Sequence, residues 1–535
     1  MRCLVVLACA SCASAPTLGP LRYKNQDPIT VVNDRVPLEK PPTSFDQGLV
    51  EYYFAQEFVE PTRYLFTVGE RQPARNANSL GNVPDSAWFE NRKVTPEDVR
   101  RGPGSGGPDL GQPWRVVGVK VGGAAIGITI LDAKNDRYVL KFDEKNFPET
   151  ETSADVVVQR LTWAMGYNVP DNEVVSFKRE QLVLDDEAKF STRAGDTRKM
   201  TEADLEKYLG MANAEAGTFR GLASKMVEGK VLGGIEPFGV RKSDPNDRVP
   251  HELRRDLRGQ RVLWAWVNHI DLKSQNALVT LTKDKHLKWY VLDFGESLGV
   301  GATTTFVPRL GYRATYAWGT SLWSFVTFGL HVHPWERESR HPGYRGLGEF
   351  ASEYFDPGAW RANHRWRPID LADRQDQFWA AEIMMRLTPA HVRAAVEAGQ
   401  YTDRRTTEYL ISTLIERQRK LGAWAFGRVA PLSNLVASGA LTLCFDDLWL
   451  QYQFGTLDST HYKITTYDYA GKSLATTDAR AASARTCAQL QPGDARDGYT
   501  IARIQVRRHG KALPLAFVHL AKGPKGFRVI GIDRR

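Results

Sequence analysis

Between residues 114 and 177 the apolar positions come in short runs. Trp114–Lys120, Ile126–Leu131 and Arg137–Phe142 are separated by turns at Gly122–Ala125 and Asp132–Asp136, and Glu173–Phe177 follows later. Runs of this length bounded by turn residues predict strands. Ser153–Met165 instead places Val157, Leu161, Ala164 and Met165 at helical spacing, and Gly166 ends the segment, which predicts a buried helix. Upstream, Leu49, Tyr52, Tyr53, Phe54 and Phe58 give Asp46–Phe58 a helical spacing with Ser44 as a candidate N-cap. Residues 185–217 are charged and read as an insertion; Gly221–Val227 and Lys230–Phe238 read as a link between lobes. Val262, Leu263, Trp266 and Val267 predict a further helix, and Asp370–Leu421 a helical block. Beyond about Ala430 the pattern returns to strands: Leu441–Phe445, Leu448–Phe454, Tyr462–Tyr469, Tyr499–Arg507, Leu515–Leu520 and Gly526–Ile532. Such a series predicts a small β-sandwich or barrel.

The most informative stretch runs from Asn268 to Gly299, NHIDLKSQNALVTLTKDKHLKWYVLDFGESLG. Ala277–Leu281 and Leu287–Leu292 are apolar, with polar Thr282 to His286 between them, so an antiparallel hairpin is expected. Asn276 precedes its first strand and Asp293 follows its second, while Asp271 and Lys273 lie on the loop just before. Pairing the strands therefore gathers two carboxylates, an amide and an ammonium at one open end. Phosphoryl transfer uses that set: a carboxylate to orient a hydroxyl, an amide and a carboxylate for Mg²⁺, and a lysine for charge.

A chain of 535 residues exceeds one ordinary core, and 42% hydrophobic content excludes a disordered protein. The net charge of +9 is spread along the chain, and no nucleic-acid motif accompanies it. The organisation expected is a signal segment over 1–15, a tether and N-terminal extension over 16–109, a β-rich lobe over 110–229, a helical lobe over 230–429 and an all-β module over 430–535. The glycine-rich run at 102–107 follows no strand and reads as a connector, and His331, His333 and His341 match no established zinc spacing.

The order H-x-D-L-K-x-x-N, carried by His269, Asp271, Lys273 and Asn276, followed by Asp293-Phe294-Gly295, resembles the catalytic and metal loops of the protein-kinase-like superfamily, in its atypical, HipA-type branch. The resemblance implies an α+β, two-lobed protein-kinase-like fold, with a small β-rich lobe and a helical large lobe, carrying a C-terminal all-β module. It implies ATP and Mg²⁺ as cofactors and a hydroxyl on a protein or small molecule as acceptor. Asp271 would orient that hydroxyl, Lys273 would stabilise the transferring group, and Asn276 with Asp293 would bind the metal. Gly122, Gly123 and Gly127 stand where a phosphate-covering loop is expected, though their spacing departs from G-x-G-x-x-G. Lys141 matches the phosphate-contacting lysine, and Asp155, with Glu151 as substitute, matches its carboxylate partner. Ile270 replaces the arginine often found beside the catalytic aspartate, and no A-P-E follows Gly295. Transfer of AMP fits the same motifs, and so does a catalytically silent scaffold of the same fold.

The start, MRCLVVLACASCASAP, has one positive charge, a short apolar run and small residues, the shape of an export signal. It also resembles a bacterial lipoprotein signal, which implies a lipid anchor at Cys9 or Cys12 in the cell envelope, or else a periplasmic or secreted chain. For Cys444 and Cys487 a disulfide and two buried thiols are both compatible with the sequence.

Overall fold

The computed structural model describes residues 18, 21–59, 62, 72–104, 106–119, 126–192, 196–301, 310–312, 318–331 and 341–535. The chain divides into two compact units, residues 30–77 with 83–425, and residues 1–29 with 78–82 and 426–535. The first unit joins a sheet-rich lobe to a helical one and the second is all-β; together they form the expected α+β class.

In the first unit a helix α1 (Leu49–Phe54), continued by a π-helical turn over Ala55–Val59, precedes α2 (Pro96–Arg101) and the small-lobe sheet. Its strands are β1 (Trp114–Val119), β2 (Gly127–Leu131) and β3 (Arg137–Phe142), then β4 (Asn172–Lys178), β5 (Leu182–Ser191), β6 (Thr197–Lys199), β7 (Ala214–Glu215) and β8 (Thr218–Lys225). The order across the sheet is β4-β8-β3-β2-β1-β5-β6, with β7 on β8. The helix α3 (Glu151–Ala164) is buried on nearly every side. It lies between strands β4 and β8 and the helices α2 and α9 (Pro389–Ala398), so it has no solvent face to spend on polar residues.

Three expectations change here. The charged stretch 185–217 is part of the sheet: it supplies β5, β6 and β7 and the helix α4 (Glu202–Met211), and Met200, Leu205 and Leu209 complete the lobe's core. Its outward positions carry the charges, which hid the strand pattern. Gly221–Lys225 are strand, and the chain leaves the sheet after Lys225 to enter β9 (Lys230–Val231), paired with the large-lobe hairpin. The helix placed over 46–58 begins at Leu49 with Gly48 as N-cap and no side-chain cap from Ser44.

The N-terminal stretch expected to be a tether is docked. Val31 bridges Asp85, Phe45 bridges Gly233, and Asp34 accepts the Ala87 N–H at 3.0 Å. Two of these are backbone bridges and the third is one carboxylate on a backbone N–H, so none needs an apolar period and none leaves a trace in the pattern.

In the large lobe α5 (Arg255–Val267) packs on α8 (Arg374–Met385), and the absence of a side chain at Gly259 lets the Trp379 ring approach to where a Cβ would stand 2.6 Å away. The hairpin of β10 (Ala277–Leu281) and β11 (Leu287–Val291) is antiparallel, with Ala277 opposite Val291. The helix α10 (Arg404–Phe426) carries Arg417, which donates to the Ala265 and Trp266 carbonyls at the end of α5 at 2.6 and 2.8 Å. Among the described residues no helix is long and apolar enough to cross a membrane.

The second unit stacks a three-stranded sheet on a six-stranded one around a shared apolar core that includes Leu443, Phe445, Ile464, Ile504 and Val518. Leu448–Phe454, expected as a strand, begins instead with a short helix over Leu448–Gln451, because Asp447 accepts the Trp449 N–H at 3.0 Å and caps it. Strands over Leu432–Ser438, Ser473–Arg480 and Arg485–Gln489 were not expected. Ser473–Arg480 is an edge strand with no buried residue, so its apolar alternation is weak. Cys444 and Cys487 face each other across paired strands and are joined by a disulfide.

Candidate active site

Helix α5 ends at Asn268, a left-handed residue (φ 52°) whose side chain is fixed by the Leu310 carbonyl and by the Trp360 indole N–H. The chain then turns into the loop that carries Asp271. His269 Nδ1 lies 2.9 Å from Ser297 Oγ, and the Ile270 N–H donates to the Glu296 carbonyl at 3.3 Å. The loops around residues 271 and 293 are thus laced together by their own flanks. Burial holds the His269 imidazole down to about 4, so it is neutral at pH 7 and acts as a strut.

Within the first loop Asn276 Nδ2 donates to the Asp271 carboxylate at 2.9 Å and to its carbonyl at 2.7 Å, and Lys273 Nζ forms an ion pair with the same carboxylate. The Leu292 N–H donates to the Asn276 carbonyl at 3.1 Å. The hairpin therefore does what its pattern predicts: it sets Asn276 and Asp293 at one end. Asp293 is left-handed (φ 65°), a conformation that costs a non-glycine residue energy.

The second half of the site comes from the small lobe. Lys141, in β3 opposite Gly127, reaches Asp293 Oδ1 at 2.8 Å and Asp155 Oδ2 at 3.4 Å. Burial works against its ammonium, but the Asp293 and Asp155 carboxylates outweigh it and lift Lys141 above the ordinary lysine value. Asp155 is 1% exposed and takes the Asn172 amide at 2.6 Å, whereas Asp293 keeps 37% of its side chain exposed. Glu151 lies on the wall of the same cavity, with Thr152, Leu222 and Gly295. Lys141, Asp155 and Asp293 are thus brought together, as are Asp271, Lys273 and Asn276. Gly127 opens β2; Gly122 and Gly123 lie outside the described residues, as does His333. Among the described residues no cluster of His, Cys, Asp and Glu forms a ready-made metal centre.

Glu296, immediately after the Asp-Phe-Gly, was missed by sequence reasoning. Burial first, then the Asp271 charge, pushes its carboxyl up to about 8, with Lys273 opposing. Nothing in its neighbours along the chain marks it; its state depends on the fold. Asn172, which orients Asp155, is equally silent in sequence.

The N-terminal helix also reaches this loop. Tyr52 is fully buried, and its hydroxyl lies 3.3 Å from the Leu272 carbonyl and 3.2 Å from that of Arg365. Gln275 Nε2 donates to the Gln47 carbonyl at 2.7 Å. The neighbouring Tyr53 is half-buried against His364, ring centroids 4.3 Å apart. Burial raises its phenol, and the charges of Lys273, Asp271 and Glu296 all act on it.

No protein-family model matches the chain, and no curated protein matches its sequence. Among solved structures it is similar to CtkA, a proinflammatory kinase of Helicobacter pylori, with 12% identity over 57% of this chain and 92% of that one and a TM-score of 0.30. It is also similar to the Golgi casein kinase, solved with Mn/ADP bound, with 11% identity over 59% of this chain and 72% of that one and a TM-score of 0.31. A second structure of the Golgi casein kinase gives 11% identity, 59% and 74% coverage and a TM-score of 0.31. The kinase-like fold rests on this chain's sheet order, its hairpin and the Lys141 bridge between β3, α3 and the loop at Asp293.

Proposed function

We propose that the chain is a phosphotransferase of the atypical kinase type, using ATP and Mg²⁺ and acting on a hydroxyl acceptor. The observation that supports it most is the Lys141 ammonium held between Asp155 and Asp293. A buried lysine needs one carboxylate partner for stability; a second one, half-exposed on a left-handed residue, is arranged for a ligand. Lys141 would hold nucleotide phosphates, Lys273 would stabilise the transferring group, and Asp271 would take the acceptor's proton. Asn276 and Asp293 would hold Mg²⁺, with Gly122, Gly123 and Gly127 near the phosphates. Their oxygens suit a hard cation that binds through one or two carboxylates and the phosphates themselves. Bound there, the metal supplies neutralisation of phosphate charge.

Export, with lipid anchoring at Cys9 or Cys12 in a bacterial envelope, belongs to the same proposal. Its support is the small-residue cysteine signal and the Cys444–Cys487 disulfide, a bond that persists in oxidising compartments. Mass spectrometry of the native N-terminus tests it; an unmodified Met1 overturns it.

A second reading, a silent scaffold that binds nucleotide or a partner, is favoured by the direct Lys141–Asp293 contact, which already neutralises the lysine. Incubation with γ- and α-labelled ATP and Mg²⁺, beside Asp293→Ala, separates them. Transfer of γ label that is lost in the variant is the expected result. Transfer of α label assigns AMP transfer, and Mg²⁺-dependent binding without turnover assigns the scaffold.

A further inference from the structure

Resting on the transferase reading, we propose that Tyr53 is an internal phosphoryl acceptor, presented by helix α1 to the Asp271–Lys273 end of the catalytic loop. Helix α1 does not dock by an apolar face. Val50 and Phe54 are 83% and 61% exposed, while Tyr52 is buried with its hydroxyl against the loop carbonyl of Leu272. The segment before it is fixed to the same loop region through Gln275 and Gln47. It is also fixed by the bridge of Phe45 to Gly233, where a side chain would collide with the Phe45 carbonyl. A helix held this firmly against the catalytic loop, with one tyrosine buried and the next half-exposed, is placed to deliver a tyrosine.

Tyr52 and Tyr53 differ in what they can do. The Tyr52 hydroxyl is committed to carbonyl groups. Tyr53, about 100° further round the helix, packs its ring at a tilt of 38° against His364 and is half-buried. Its neighbour Tyr52 touches Leu272, which stands between Asp271 and Lys273, the two side chains that would meet an attacking hydroxyl and the group it attacks. Tethering replaces a bimolecular encounter with a unimolecular one. In the step, the Tyr53 oxygen forms a bond to the γ-phosphorus of the nucleoside triphosphate as the bond to the β-bridging oxygen breaks. That oxygen leaves with the electron pair on the nucleoside diphosphate, and the phenolic proton passes to Asp271.

The test uses the full chain with γ-labelled ATP and Mg²⁺, mapping the label by mass spectrometry while ADP is measured in parallel. Label on Tyr53 is expected, approaching one per chain, with a rate constant unchanged by tenfold dilution. It is expected to persist in Tyr52→Phe and to vanish in Tyr53→Phe and Asp271→Asn. Mapping on the unmutated chain keeps the test independent of whether any variant folds. ADP formation with label elsewhere or on no residue overturns the inference and leaves the transferase reading standing. Absence of both ADP and Mg²⁺-dependent nucleotide binding overturns the two together.

Discussion

In the β unit the buried Asp447 carboxylate is met by Arg508 at 2.6 Å, by the Tyr462 hydroxyl at 2.8 Å and by the Trp449 N–H at 3.0 Å. Its surroundings are an apolar core. In the kinase-like unit, among the described residues, the carboxylates of Glu151, Asp155, Asp271, Asp293 and Glu296 gather around Lys141 and Lys273. The first arrangement neutralises its charge within itself: one guanidinium faces one carboxylate, and a hydroxyl and an N–H also donate to that carboxylate. The second carries more negative charge than its lysines neutralise, and Glu296 keeps a proton in response. Packing alone gives no reason to assemble such a group, since each unneutralised carboxylate in a low-dielectric site costs free energy. The surplus is what a site for a cation and a phosphate would hold, and it tells the functional unit from the structural one.

The sharpest way to break this comparison is Asp271→Asn. The change keeps size and leaves the Lys141–Asp155–Asp293 bridge untouched, so nucleotide binding should survive. Turnover should fall by roughly 10²–10⁴-fold, the usual cost of a lost general base. Single-turnover kinetics beside calorimetric titration with a non-hydrolysable ATP analogue measure the two halves; equal losses in both would mean Asp271 is structural.

The β unit offers the converse. Its disulfide closes a loop of sequence separation 43, so reduction should destabilise that unit by about 2–4 kcal/mol. No residue of the candidate site belongs to it, and nucleotide affinity should not change. Differential scanning calorimetry with and without reductant decides the first point, and titration in reductant the second.

Smaller still is the coupling inside the charged group. Lys141→Ala and Asp155→Ala each break the same ion pair, so their effects on stability should be non-additive by about 0.5–3 kcal/mol. The same cycle between Lys141 and Glu151 should give a smaller coupling, because the Glu151 charge acts on the lysine more weakly than those of Asp293 and Asp155. Additive behaviour for Asp155 would return Glu151 as the partner.

Legibility followed range. The hairpin and the residues it carries were readable because Asn276, the two apolar runs and Asp293 are local, and strand pairing alone brings the ends together. Lys141 stood out as a charge in an apolar strand, but the Asn172 amide that orients its partner lies on another strand and carries no local signal. The docking of α1 was hidden, since it depends on single side chains meeting distant backbone carbonyls and on a missing side chain at Gly233. Leu448–Phe454 was misread because its aromatic and aliphatic residues suit a strand, while the deciding feature was one Asp447 hydrogen bond. Glu296 shows the remaining limit: its chemistry is set by neighbours that only the fold assembles.

That residue also gives the finest test of the charge surplus. Glu296 has its folded value raised from the ordinary 4.5 to about 8, so across that interval the folded chain binds a proton the unfolded chain has released. By linkage, its contribution to stability falls as pH rises from about 4.5 through 8. His269 has the opposite sign: held down to about 4 from 6.5, it costs stability as pH drops through that window. Both forms of the protein share His269, so it cancels in a comparison with Glu296→Gln, which cannot titrate. The melting temperature of the variant should match the unmutated chain near pH 5, exceed it increasingly toward pH 8, and hold a constant lead above that. A lead that stays flat from pH 5 to 9 would show that Glu296 feels no excess of negative charge, and the contrast between the two units would lose its electrostatic basis.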